Sequence, residues 1–500
     1  MLRKIRLTFA IFFFVLITLL FLDFTGTLHA WFGWMAKIQF LPALLALNVG
    51  VVIILIALTL LFGRVYCSVI CPLGVFQDVV SWLGKKRKKN RYSYSPALSW
   101  LRYGVLGVFI LALIGGVGSL VALLAPYSSY GRIASNLFAP VYQWGNNLLA
   151  LLAERADSYM FYSVDVWMKA MGTFVIAVLT FVILAVLAWR NGRTYCNTIC
   201  PVGTVLGFFS RFSLLKPVID TSKCNGCGLC ARNCKAACID SKNHKIDYSR
   251  CVACMDCIGK CKKGAIRYER PHKEVQKPLA AEKVTGVSPE QVDNARRAFF
   301  SAGAIFATST LLKAQEKKVD GGLAVIEDKK IPERTTPIPA GALSIRNFAQ
   351  HCTACQLCVS VCPNQVLRPS GNLMTLMQPE MSYERGYCRP ECAKCAEVCP
   401  TDAIHLTSLA DKSSIQIGHA VWIRKNCVPL TDGVNCGNCA RHCPVAAIEM
   451  VPSEVDNPDS PKIPVVNVER CIGCGACENL CPARPFSAIY VEGHERHRVI

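Results

Sequence analysis

Cysteine dominates the chemistry that this sequence can do. Four runs lie near the C terminus: Cys352, Cys355, Cys358 and Cys362; Cys388, Cys392, Cys395 and Cys399; Cys427, Cys436, Cys439 and Cys443; and Cys471, Cys474, Cys477 and Cys481. Each run closes with Cys-x-x-Cys-x-x-x-Cys-Pro, the spacing at which thiolates wrap an iron-sulfur cubane. These sixteen thiols suffice for four such clusters. The second and third runs have longer first gaps, x3 and x8, which imply loop insertions beside their clusters.

A smaller module precedes them. KCNGCGLCARNC supplies Cys224, Cys227, Cys230 and Cys234, and RCVACMDCIGKC supplies Cys251, Cys254, Cys257 and Cys261. In two-cluster ferredoxins the fourth cysteine of each run ligates the cluster of the other run. The first cluster is therefore expected on Cys224, Cys227, Cys230 and Cys261, and the second on Cys251, Cys254, Cys257 and Cys234. Lys235 and Lys262 replace the usual proline after the fourth cysteine, which alters the turn or the potential without removing a ligand. Cys238 is left over and reads as a buried structural thiol. In the C-terminal block the same exchange rule admits sequential pairing of runs (first with second, third with fourth) or nested pairing (first with fourth, second with third).

A third constellation is an internal repeat, GRVYCSVICPLG and GRTYCNTICPVG, which carries Cys67 with Cys71 and Cys196 with Cys200. Spacing of i, i+4 puts each pair on one helical face. The four thiols are able to bind a metal together, to form disulfides, or to pack as small apolar side chains. Direct cluster ligation is the lesser reading, since the flanking Cys-x-x-Cys is missing. The 29 cysteines of this long chain fall mostly into metal-ligand spacings, so they read as thiolates holding iron and not as a disulfide scaffold.

These groups need a scaffold, and composition indicates a membrane one. The chain has 500 residues, is 52% hydrophobic and has a mean hydropathy of +0.32, more apolar than soluble domains usually run. Leu7 to Leu22, Leu41 to Phe62, Leu101 to Ala125 and Met171 to Trp189 are expected to cross as helices. No small-residue cleavage site follows the first, so it reads as a retained helix and not as a signal peptide. Arg3, Lys4 and Arg6, with Arg64 and the patch Lys85 to Arg91, put the N terminus, the second-to-third loop and the segment after the fourth span in the cytoplasm. Pro126 to Ala170 then faces outward; its stretch NNLLALLAER and its tyrosines and tryptophans, Tyr127 and Tyr130 among them, suit an interfacial helix or an ordinary aromatic belt.

The formal charge of +21 is not a nucleic-acid footprint. Six oxidised cubanes, each about −2 with its thiolates, lower it to roughly +9. Nucleic acid is not an expected partner.

The expected organisation is a four-span helical bundle over residues 1–215, a cytoplasmic two-cluster ferredoxin over 216–270, a linker over 271–297, a short fifth hydrophobic segment over 298–314, a proline-containing linker over 315–340, and an α+β four-cluster domain of bacterial-ferredoxin type over 341–500. Short strands are expected at Ala403-Ile-His-Leu and Ala447-Ile-Glu-Met. The fifth segment follows Arg296-Arg297 and is too short for an ordinary span. It fits a twin-arginine export signal or a short anchoring helix, and both carry the last domain across the membrane. Asp23 and His29, beside Trp31 and Trp34 where the first span emerges, are candidates to take protons from a quinol; as helix-end residues they are also ordinary. No Cys-x-x-Cys-His haem motif, phosphate loop or dinucleotide fingerprint is present, so a terminal reductase is expected on a separate protein.

With these motifs read, residues 1 to about 270 resemble NapH, a membrane quinol-dehydrogenase component, through the two Cys-x-x-x-Cys-Pro helix ends and the two-cluster module. Residues from about 295 resemble NapG, its exported four-cluster partner, through Arg296-Arg297 and the four runs. MauN and MauM, NosR, and CcoG, an oxidase-assembly protein, are similar more distantly. The resemblance implies a fusion in the bacterial inner membrane with a periplasmic C-terminal domain, six 4Fe-4S clusters and menaquinol as substrate. It further implies a periplasmic cytochrome c or molybdoenzyme as acceptor, association with other membrane redox subunits, and a setting of anaerobic nitrate- or nitrite-type respiration. Similarity to four-cluster electron-transfer subunits implies nested pairing of the C-terminal runs. The alternative is an assembly factor whose clusters reduce a maturing metalloenzyme.

Overall fold

Backbone groups in an apolar environment must be satisfied within the segment, and a helix does this for an uninterrupted apolar run. Among the described residues of the computed structural model two helices, Leu2–Leu22 and Met171–Asn191, each 21 residues, are long and apolar enough to cross a membrane. The structure describes residues 2–87, 92–158, 160–270 and 334–500 apart from 407, 455, 484 and 485. A strand pair, Val319–Asp320 with Ala324–Val325, belongs to a separate unit. The first linker, Arg296-Arg297 with the segment after it, and the side chains of Lys85 to Arg91 lie outside the described residues.

The second and third expected spans are each broken. Phe40–Leu45 ends at Leu47, which has φ 52, and Val49–Phe62 restarts after Asn48, whose side chain accepts from Val51 N at 3.3 Å. Ser99–Ile114 stops at Gly115 and Gly116, the latter at φ 71, before Gly118–Leu124. The asparagine cap and the glycine pair interrupt helices that hydropathy alone runs together. A further correction concerns 126–138. Pro126–Ile133 is wholly buried, and Tyr127 and Tyr130 pack on Phe21 at 5.5 and 6.3 Å between ring centroids, so they form core and not an aromatic belt. Ala139–Glu154, which contains NNLLALLAE, does expose an apolar face through Val141, Trp144, Leu148 and Leu152.

Strands are few and short. In the small module Lys216–Ile219 pairs antiparallel with Ile266–Glu269, and Ile239–Asp240 with Lys245–Ile246. Among its described residues the C-terminal domain has three antiparallel pairs: Leu367–Pro369 with Pro379–Met381, Ile448–Glu454 with Asn457–Val466, and Ile415–Trp422 with Ile489–Val499. Ala403 to Leu406 forms no strand; His405 N instead bonds to Gly341 O at 3.1 Å. The domain also begins before Gly341. Arg334 pairs with Glu478 at 2.8 Å, Gly493 N bonds to Thr335 O, and Met381 N bonds to Pro337 O, because prolines lack a donor but keep a carbonyl.

The first helix measures the distance between the two ferredoxin parts. Near its start Arg3 pairs with Asp256 of the small module at 2.8 Å, and Arg6 donates to Ser68 O at 3.2 Å. Farther along Thr18 bonds to Tyr130 at 2.5 Å, and just past its end Thr25 O accepts from Lys394 at 3.3 Å. The two cysteine modules therefore sit at opposite ends of a helix about 30 Å long.

Candidate iron-sulfur relay

Each Cys-x-x-Cys-x-x-Cys segment curls through left-handed backbone, which turns three successive thiols toward one point. Gly226 and Gly228 serve the first run of the small module, and Ala253 and Met255 hold φ of 48 and 61 in the second. The non-glycine residues are strained there and are kept by their surroundings. Cys224, Cys227, Cys230 and Cys261 line one cavity of about 180 Å³. Cys251, Cys254 and Cys257 line a second with Cys234, and Cys238 joins its wall, its sulfur 3.5 Å from that of Cys234. The leftover thiol is thus a fifth sulfur at that cavity. Lys235, which replaces the usual proline, bonds to Asp78 at 2.8 Å and Asp256 at 3.2 Å and fastens the module to the helical part.

In the C-terminal domain Cys352, Cys355 and Cys358 share a cavity with Cys399, and Cys388, Cys392 and Cys395 share one with Cys362. Cys427, Cys436 and Cys439 gather with Cys481, and Cys471, Cys474 and Cys477 with Cys443. The runs therefore pair sequentially, and the nested arrangement is corrected. Two hairpins explain it: the strand pair at 367–381 folds the second run back on the first, and the pair at 448–466 folds the fourth on the third. The two halves meet where Cys388 N bonds to Cys474 O at 2.9 Å and Tyr383 OH bonds to Gly473 O at 2.7 Å. The sets are ordered in space as Cys352, Cys388, Cys471, Cys427, naming each by its first residue.

Backbone amides point at several sulfurs: Ala265 N at Cys261, Ala447 N at Cys443 and Ala488 N at Cys481, at 3.2 to 3.3 Å. Such bonds favour the thiolate and tune cluster potential. Burial pushes the Cys355 and Cys395 thiols up to about 12. Protons must therefore leave as iron binds. Lys412 donates to Arg389 O at 2.6 Å and to Cys392 O, which places a buried cation beside Cys388.

The structure also brings the two proposed proton acceptors together. Asp23 accepts from Thr25 Oγ1 at 2.7 Å, Leu28 N at 2.8 Å and Gly26 N at 2.9 Å, and His29 Nδ1 lies 3.2 Å from its Oδ2. Burial works to raise the Asp23 pKa, but these hydrogen bonds prevail and hold it well below the usual carboxylate range. His29 Nε2 is buried with no hydrogen-bond partner among the described residues. Trp31 and Trp34 are exposed. Sequence reasoning missed that Lys394, which stands between Cys392 and Cys395, reaches Thr25 O two residues from Asp23. The four repeat cysteines, Cys67, Cys71, Cys196 and Cys200, are all buried in the helical part at the end nearer the small module.

Comparison with known proteins bears on both halves. The family model of a 4Fe-4S binding domain matches residues 44–91 and 173–219, and that of a 4Fe-4S dicluster domain matches 351–413 and 434–484. The chain is 30% identical over 165 residues to the methylamine utilization ferredoxin-type protein MauM of Methylobacillus flagellatus, covering 32% of this chain and 70% of that one. It is 29% identical over 154 residues to the ferredoxin-type protein NapG of Escherichia coli, covering 29% of this chain and 64% of that one. It is 27% identical over 187 residues to the methylamine utilization ferredoxin-type protein MauN of Methylobacillus flagellatus, covering 37% of this chain and 53% of that one. No solved structure matches.

Proposed function

The chain belongs to the family of ferredoxin-type iron-sulfur proteins that includes MauM, and from that premise we propose that it carries electrons from menaquinol to a periplasmic acceptor. Six cubanes would be held by the sets described above: two in the small module by Cys224, Cys227, Cys230 and Cys261 and by Cys251, Cys254, Cys257 and Cys234, and four by the sequentially paired runs of the C-terminal domain. The apolar helices cross the bacterial inner membrane four times, as in a NapH-like protein fused to a NapG-like one. The N terminus and small module are cytoplasmic and the C-terminal domain is periplasmic. Basic residues near the start of the first helix and the separation of the two modules along it support this orientation.

Quinol oxidation releases two protons and two electrons, and a cubane accepts one electron at a time. His29, oriented by Asp23, takes a proton from the quinol hydroxyl through its unpaired Nε2. The Cys388, Cys471 and Cys427 sets, adjacent in that order, would hold the cubanes that carry these electrons singly, and the x8 loop of the last is exposed around Val434. A cytochrome c or a molybdoenzyme takes them there. The observation that carries this reading is the contact between Lys394 and Thr25, which places the Asp23-His29 pair against a cysteine set. Steady-state menaquinol oxidation by the purified chain with an added one-electron acceptor tests it, with sustained turnover expected. Slow, stoichiometric reduction of a maturing metalloenzyme without turnover identifies an assembly factor instead.

A further inference from the structure

The two stretches matched by the 4Fe-4S binding-domain model contain only two cysteines each, Cys67 with Cys71 and Cys196 with Cys200. Neither stretch alone has the four thiolates that a cubane takes. The fold supplies what each half lacks. Arg64 of the first repeat donates to Cys196 O of the second at 3.2 Å, and Arg193 of the second donates to Cys67 O of the first at 2.6 Å. Gly74 and Gly203 make this crossing possible, because a Cβ on either would stand 2.8 Å from the guanidinium arriving from the other repeat. The two copies of the motif thus clasp each other about an approximate twofold, with all four thiols 4% exposed.

The surroundings of the thiols are those of an anion. Gln77 Nε2 lies 3.3 Å from Cys196 Sγ, Gly203 N 3.3 Å from Cys200 Sγ, and Arg64 Nη2 3.7 Å from Cys67 Sγ. Arg64 is wholly buried, and its oxygen partners, Asn197 Oδ1, Ser249 O and Cys196 O, are all neutral. Arg193 shares the Asp78 carboxylate with Arg6 and Lys235. A buried cation without a counter-charge is strongly disfavoured. Neutral thiols leave Arg64 uncompensated, whereas four thiolates around an oxidised cubane carry a net charge of about −2. Among the described residues no three His, Cys, Asp or Glu side chains are close enough to hold a single metal ion, here or in the ferredoxin sets. The four repeat thiols nevertheless face one another, Cys200 lying within electrostatic reach of Cys196, Cys71 and Cys67, and Cys71 of Cys196 and Cys67.

We propose that Cys67, Cys71, Cys196 and Cys200 jointly ligate one 4Fe-4S cluster within the helical domain, a seventh centre shared by the two halves of the repeat. Its position gives it a use. Arg64 Nη1 donates to Ser249 O at 3.1 Å, two residues before Cys251, and Asn197 Nδ2 donates to Ala236 O at 3.1 Å, two residues after Cys234. On the opposite side Tyr195 OH donates to Leu124 O at 3.1 Å, and Arg132 donates to Ala122 O at 2.7 Å, while Gly131 lies against Cys355 O. The centre stands between the Cys251 set and the Cys352 set. One electron enters as the core goes from +2 to +1 and leaves as it returns, with no bond made or broken and no proton moved. This hop would join the small module to the C-terminal domain, a branch beside the route proposed above from the Cys388 set onward; the presence of the cluster rests on neither.

Iron and sulfide analysis with Mössbauer and EPR spectroscopy tests the proposal on the full chain, purified anaerobically in detergent, wild type against Cys71→Ala/Cys200→Ala. About 28 irons per chain are expected in the wild type and about 24 in the variant, with one cubane signal lost and the others intact. About 24 in both, with identical spectra, overturns it. Gln77→Leu provides a second arm should the double variant fail to fold, since this side chain donates to Cys196 without being a ligand. A shift of one cubane signal alone to more negative potential is expected, and unchanged potentials for every signal overturn the proposal. A full iron count without menaquinol turnover supports the cluster and retires the relay.

Discussion

Lys412 sets the charge around one cubane site from a position that nothing in its neighbourhood announces. It lies in a short helix capped by Ser408 and Asp411, yet its amine is buried against the carbonyls of Arg389 and Cys392. Lys412→Met removes a positive charge beside Cys388 and is expected to shift that cluster to more negative potential in an EPR-monitored titration. It also takes the Lys412 donor from Cys392 O, while Arg389 O keeps the Cys392 backbone N–H, a loss of about 1–3 kcal/mol of stability. His497 offers a separate test. Desolvation, with His494 nearby, lowers its pKa from 6.5 to about 4, and neither ring nitrogen has a partner among the described residues. The fold favours the neutral ring, so the stability from this site is complete above pH 6.5 and is lost as pH falls toward 4, by up to about 3 kcal/mol. Thermal unfolding between pH 7 and 5 is expected to show a fall in Tm that His497→Phe reduces. The cysteine runs were legible because their spacing is local. Lys412 and the Lys394 contact were not, because both depend on residues far away in sequence.

At the scale of elements, hydropathy found the apolar segments but not their ends. Asn48 and the Gly115-Gly116 pair carried the missing signal, since a side-chain cap and a glycine at positive φ are marks of a helix boundary. Tyr127 and Tyr130 misled for a different reason. An aromatic in an outward loop suits an interface, but burial against Phe21 depends on a partner helix more than 100 residues away. The same buried segment joins the helical part to the C-terminal domain. A Cβ on Gly131 would lie 2.5 Å from Cys355 O and 2.8 Å from the Phe21 ring. Gly131→Val is therefore expected to separate the Cys355 loop from the Pro126–Ile133 helix. Iron content should stay at the wild-type value, while limited proteolysis should release the C-terminal domain faster.

For the whole molecule, the order of the thiol sets matters more than their number. The sequence supplied the sets and the exchange of fourth cysteines, yet left sequential and nested pairing open, because hairpins between runs decide which run folds on which. Sequential pairing puts the Cys352 set against the Pro126–Ile133 segment, the Cys388 set by the end of the first helix, and the Cys427 set farthest along the series. Quinol electrons are therefore expected to arrive at the Cys388 set. The most direct test adds menaquinol anaerobically to the oxidised full chain in lipid nanodiscs and follows the cubane signals by rapid-freeze EPR. Reduction of the Cys388 cluster first, slowed roughly 100-fold in His29→Gln, is expected for a proton acceptor at that position. Clusters that dithionite reduces but menaquinol leaves oxidised contradict the account.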